Sequence, residues 1–169
     1  LENVMEGKYR PGHFKGMATV VKRLFLAIKP TRAYFGEKDY QQLAIIKILV
    51  EREKMPIEII GCPIVRELDG LALSSRNTRL NVQQRHAAPA IFQALNLLKS
   101  RANEKSFGRS AAKAIENINA HPDLAVEYLH IVDAKTLQPI KDWQDAEHSM
   151  AFVAVMAGDV RLIDNISLY

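Results

Sequence analysis

Ala33-Tyr34-Phe35-Gly36-Glu37-Lys38-Asp39-Tyr40-Gln41-Gln42 is the stretch whose reading decides the fold. It opens on a short β-type run, breaks at Gly36 and passes at once into a helical pattern from Lys38 to about Glu53. In that pattern Leu43, Ile46, Leu49 and Val50 fall on one side. Pro56 closes the helix, and Ile57-Glu58-Ile59-Ile60 reads as a second strand. Strand, helix and strand at this spacing predict a right-handed βαβ unit in a parallel sheet. Upstream, Met17, Val20, Val21, Leu24, Phe25 and Ile28 make one apolar helical face that Pro30 ends. Residues 1–65 are therefore expected to be α/β.

Beyond Val65 the pattern changes. Arg66 to Asn77 reads as a loop of mixed charge with an Asp69-Gly70 turn. Asn81 and Gln84 form a capping-box pair that opens a helix carrying Ile91, Leu95 and Leu98, which Pro89 is expected to kink or delay. Ser106 is expected to cap a further helix through Ala120, and Pro122 ends it. Val126 to Ile131, Ala151 to Met156 and Val160 to Ile163 read as strands, the last two joined by a hairpin turn at Ala157-Gly158-Asp159. Residues 66–169 are thus expected to form a small α+β domain.

Composition narrows the function classes. The 169 residues are 48% hydrophobic and 25% charged, which excludes low-complexity disorder and collagen. No apolar run approaches the roughly 18 residues that span a bilayer. The net charge of +4, from 23 basic against 19 acidic residues, is scattered along the chain. A dispersed positive excess fits an anionic small molecule such as a nucleotide, and no nucleic-acid partner is expected. Cys62 is the single cysteine, so a cytoplasmic chain with a buried structural thiol is expected. His86, His121, His130 and His148 lack metal-ligand spacing, and no protein-coordinated metal is expected. The opening residues Leu1 to Glu6 hold neither an initiator methionine first nor a signal pattern, and read as a chain entered partway through.

Two tracts carry candidate chemistry. Gly36-Glu37-Lys38-Asp39 lies between the carboxyl end of a strand and a helix start, where open α/β sheets bind ligands and free N–H groups meet anions. There Gly36 admits close backbone approach, Lys38 adds a positive charge and Asp39 can accept from ribose hydroxyls. A turn with a solvated charge pair satisfies the same residues. Ser74-Ser75-Arg76-Asn77 places two hydroxyls and a planar guanidinium together, as a phosphate clamp requires, or is a polar loop before a helix. Gln41 and Gln42 are adjacent in the helix and cannot share a face, so one can reach a ligand while the other meets solvent or a neighbour. His13, in Arg10-Pro11-Gly12-His13-Phe14, either lines a site or opens a helix.

The ordered set of Arg10-Pro11-Gly12-His13-Phe14, Thr19-Val20-Val21, Phe35 to Gln42, Arg66-Glu67, Asp69-Gly70-Leu71-Ala72, Ser74-Ser75-Arg76-Asn77 and Arg161 to Ile166 closely resembles the pantothenate synthetase (pantoate–β-alanine ligase) family. The resemblance implies the end of a Rossmann-like nucleotidyltransferase domain followed by a small C-terminal lid domain. It implies condensation of pantoate with β-alanine through a pantoyl adenylate, using ATP and Mg²⁺, in a cytoplasmic enzyme that is a homodimer at full length. Gly36, Glu37 and Asp39 then resemble adenosine-side contacts, Lys38 a phosphate-binding lysine, Gln42 a pantoate-binding glutamine and Val65 a backbone contact to adenine. Leu73, Ser74, Ser75 and Arg76 resemble the phosphate-binding loop, with Leu73 where the family commonly has methionine. No H-x-G-H string of the family's N-terminal half occurs, so a C-terminal portion, inactive alone, is expected. A different small-acid nucleotidyltransferase and a non-catalytic folded module remain open alternatives.

Overall fold

The computed structural model describes residues 4–102 and 107–168. The chain divides into two compact units, Leu1–Ile64 and Val65–Tyr169. The first contains α1 (Met5–Tyr9), α2 (His13–Ile28), β1 (Arg32–Gly36), a 3-10 turn over Glu37–Asp39, α3 (Tyr40–Arg52) and β2 (Glu58–Cys62). β1 and β2 pair in parallel, with Arg32 opposite Glu58 and Gly36 opposite Cys62. The expected βαβ order is therefore present. Its second strand begins at Glu58 rather than Ile57. The Ile57 N–H turns back to the Met55 carbonyl at 2.9 Å, while the Glu58 N–H donates to the Thr31 carbonyl just ahead of β1.

Phe25, Ile46 and Val50 form the buried centre of this unit, with Met17, Val21, Ala33, Phe35 and Ile59 packed around them. The Phe25 and Phe35 rings meet edge to face at 6.4 Å. The apolar face read along α2 splits in two. Its Met17–Val21–Phe25 row packs inward, whereas Val20, Leu24 and Ile28 are exposed. The arc is wider than the surface that the sheet and α3 offer it. Cys62 is likewise half-buried rather than buried, because it ends a strand whose sheet holds two strands among the described residues.

The second unit contains a 3-10 turn over Ser75–Arg79, α4 (Val82–Ala87), α5 (Ala90–Ser100), α6 (Phe107–Asn119) and the strands β3 (Leu124–Asp133), β4 (Ser149–Ala157) and β5 (Val160–Ser167). The strands form an antiparallel sheet in the order β3-β4-β5. Ile91, Leu95 and Leu98 of α5 and Ile118 of α6 are buried with Val153 and Val155 of β4 in one core. Asn81 and Gln84 make the reciprocal capping box. Pro89 resolves the expected kink as a break: α4 stops and α5 starts, with the proline at its N-cap position. The cap expected at Ser106 lies outside the described residues. Gly158 takes φ +56° in the β4–β5 turn, a conformation that favours glycine.

Residues 66–77 are more ordered than the expected loop. Arg66 and Ala72 form an antiparallel bridge across the Asp69-Gly70 turn, and the 3-10 turn begins at Ser75. Among the described residues no helix is long and apolar enough to cross a membrane.

Candidate functional site

In the first unit, Gly36 ends β1 in extended conformation, and a Cβ built on it meets no atom within 4 Å. The carboxyl end of the parallel pair is thus open at this residue. Asp39 precedes α3, is exposed, and its side chain makes no capping hydrogen bond. Lys38 is half-buried. Glu37 turns the other way: its Oε1 lies 2.9 Å from where a Gly61 Cβ would stand, so its carboxylate folds back over β2. Burial and the Glu37 charge together raise the Tyr40 pKa, burial contributing most.

The residues alone leave Gln41 and Gln42 undivided and the resemblance picks Gln42 for pantoate; the structure places the two side chains in different surroundings. Gln41 is buried, with its side-chain oxygen accepting the Glu6 N–H at 3.1 Å and its amide donating to the Val4 carbonyl at 2.9 Å. Gln42 is half-buried one helical position, about 100°, away. His13 opens α2 behind Gly12, and Arg10 Nη1 lies 3.2 Å from its Nε2. Burial and the Arg10 charge hold the His13 pKa below its usual value.

In the second unit, Val65 and Leu73 stand side by side where the Leu73 N–H donates to the Val65 carbonyl at 2.9 Å. Both residues are more than half exposed, at 66% and 52%, a small apolar surface at the mouth of the 65–73 hairpin. Ser74, Ser75 and Arg76 follow immediately. The Ser74 Oγ accepts the Arg76 N–H at 3.2 Å, which leaves its own O–H to donate. Arg76 is exposed and donates one guanidinium N–H to the Arg161 carbonyl at 3.0 Å. Asn77 donates its amide to the Ala72 carbonyl at 3.1 Å, tying the tract to the hairpin.

Two features escaped the sequence reading. One is the structural role of Gln41. The other is the Arg66–Asp164 ion pair, bidentate at 2.7 and 3.0 Å and spanning 98 residues. Only the aspartate within the apolar run Leu162-Ile163-Asp164 hinted at it.

The pantoate-beta-alanine ligase family matches residues 1–167. The chain is 48% identical over 163 residues to the pantothenate synthetase of Porphyromonas gingivalis W83, covering 96% of this chain and 58% of that protein. It is 51% identical over 167 residues to that of Azobacteroides pseudotrichonymphae, covering 99% and 60%. The crystal structure of pantothenate synthetase from Thermus thermophilus superposes with a TM-score of 0.93 at 44% identity, over 99% of this chain and 60% of that one. A pantoate-beta-alanine ligase from Francisella tularensis, complexed with beta-gamma ATP and beta-alanine, superposes at 0.76 with 35% identity, over 99% and 55%. The chain therefore spans somewhat over half the length of its relatives, and it belongs to the pantoate-beta-alanine ligase family.

Proposed function

We propose that the protein carrying this chain condenses pantoate with β-alanine at the expense of ATP. A carboxylate oxygen of pantoate attacks the α-phosphorus, the bond to the bridging oxygen breaks, and pyrophosphate leaves. The β-alanine amine then attacks the acyl carbon of the pantoyl adenylate, the acyl–oxygen bond breaks, AMP departs and the amine loses its proton. No protein nucleophile is needed, because the substrate carboxylate already is one. The protein must orient the reactants and stabilise charge on the phosphates.

The observation that carries this reading is the 65–76 segment. A nucleotide asks for an apolar surface beside its base and for hydroxyl and guanidinium donors beside its phosphates. Val65 and Leu73 offer the first, and Ser74, Ser75 and Arg76 the second. In the first unit Lys38 is assigned to the phosphates, Gly36 and Asp39 to the adenosine side, and Gln42 to pantoate. Glu37, folded over Gly61, contributes to that side through its backbone.

Among the described residues no three His, Cys, Asp or Glu side chains form a group that could hold a metal ion. The described chain thus makes no carboxylate cage for Mg²⁺, and no step is assigned to the ion. Magnesium arriving with ATP would take phosphate and water oxygens.

The test is a product assay on the protein as its gene encodes it. AMP and pyrophosphate should accumulate only when ATP, pantoate and β-alanine are all present, with a single-turnover burst of pyrophosphate from ATP and pantoate alone. Appearance of ADP in place of AMP would exclude the adenylate route.

A further inference from the structure

Arg66 stands at the foot of the 65–73 hairpin, and its guanidinium is held from several sides. Nη1 lies 2.7 Å from Asp164 Oδ2, and Nη2 lies 3.0 Å from Oδ1. The same nitrogens donate to the carbonyls of Gly70 at 3.1 Å and Asn165 at 3.3 Å. The guanidinium carbon sits 3.7 Å over the Phe92 ring. The Arg66 side chain is 17% exposed and that of Asp164 is 3% exposed. This group is turned into the fold and is not presented to a ligand.

Its neighbours along the chain are presented outward. Val65 before it and Leu73, Ser75 and Arg76 after the turn are exposed, while Ala72, bridged to Arg66, is buried. Leu68, at the far turn, is fully exposed, so the hairpin has little apolar burial to hold it beyond Leu71 and Ala72. We infer that Arg66, anchored on Asp164 of β5 and Phe92 of α5, is a positioning residue that seats the 65–73 hairpin, and with it Val65 and the Leu73–Arg76 tract, on those two elements. The inference rests on the nucleotide reading of those residues and adds to it the device that seats base contact and phosphate contact.

Arg66→Lys keeps the charge and removes the planar fork. Its amide hydrogens at residues 67–77 should exchange about tenfold faster or more, while those of β3, β4 and β5 keep their wild-type rates. That is the scale of one charged hydrogen bond lost. KM for ATP should rise about tenfold with KM for β-alanine unchanged. Asp164→Asn should reproduce both changes, and the double variant should be no worse than either single one. Unchanged exchange across 67–77 overturns the inference. So do ATP and β-alanine constants that move together, or single effects that add. A wild-type protein that forms no AMP overturns the ligase reading instead, and the exchange measurement decides the pin without turnover.

Discussion

Gln41 joins its side-chain oxygen to the Glu6 N–H at 3.1 Å, so the second residue of α3 holds the segment entering α1 from a distance of 35 residues. Removing that amide takes the Gln41 acceptor from the Glu6 N–H and leaves the Val4 carbonyl without its Gln41 donor, though it still accepts the Gly7 N–H at 3.0 Å. Gln41→Ala is expected to destabilise the fold by about 1–3 kcal/mol, read from the urea midpoint. Gln42→Ala should leave the midpoint in place and raise the KM for pantoate about tenfold to a hundredfold, with ATP unaffected. An exchange of those two phenotypes would mean that the pantoate assignment sits on the wrong residue.

Lys38→Ala tests the phosphate role in the first unit. Turnover should fall on the order of 10²–10³-fold, the usual loss for one preorganised donor, with circular dichroism unchanged. A variant within about threefold of wild type removes Lys38 from the phosphate site.

Gly70 is the point at which the 65–73 hairpin resists any side chain. Its φ is +91°, and a Cβ would press into the Phe92 ring on which Arg66 stacks. Gly70→Ala should cost at least about 1–2 kcal/mol from the backbone alone. Because Phe92 must shift, ATP use should suffer more than β-alanine use. Thermal unfolding together with the two KM values checks this, and an unaltered melting temperature would contradict it.

His13 gives a pH signature. Its pKa is lowered by burial and by Arg10, so the folded state favours the neutral ring. A folded pKa below the unfolded one means that the unfolded chain binds more protons between the two. Stability is then retained above about pH 6.5 and lost as the pH falls through the folded pKa. The imidazole resonances should titrate below about 6.5, the unperturbed value, and Arg10→Ala should move them part of the way back. A midpoint at or above that value would show that the fold does not disfavour the charged ring.

Local physics made much of this architecture readable. Period-3.6 and β-type runs between prolines marked α3, β1 and β2, and the Asn81–Gln84 box and the Gly158 turn sat where short-range chemistry put them. What was hidden depends on partners distant in sequence. Val20, Leu24 and Ile28 are as apolar as Met17 and Phe25, and only packing decides which row is covered. Gln41 and Gln42 are chemically identical, and the chain 35 residues upstream chooses between them. Arg66 carries no local mark of its tie to Asp164. For the candidate site, the sequence displays donor types such as Lys38, Ser74 and Arg76. It does not display that Arg76 already bonds the Arg161 carbonyl or that Glu37 lies back over Gly61.

The β4–β5 connection has a kinetic meaning. Ala157 pairs with Val160, so two residues close the hairpin, and β3, β4 and β5 are neighbours in the sheet in the same order as in the chain. Closing so short a loop costs little chain entropy, and hairpins of this kind form in roughly 1–10 μs. The β1–β2 pair is parallel and must wait for the whole of α3 to compact before its ends meet. During synthesis the β4–β5 pair, which emerges later, therefore has a faster route to pairing than β1 and β2.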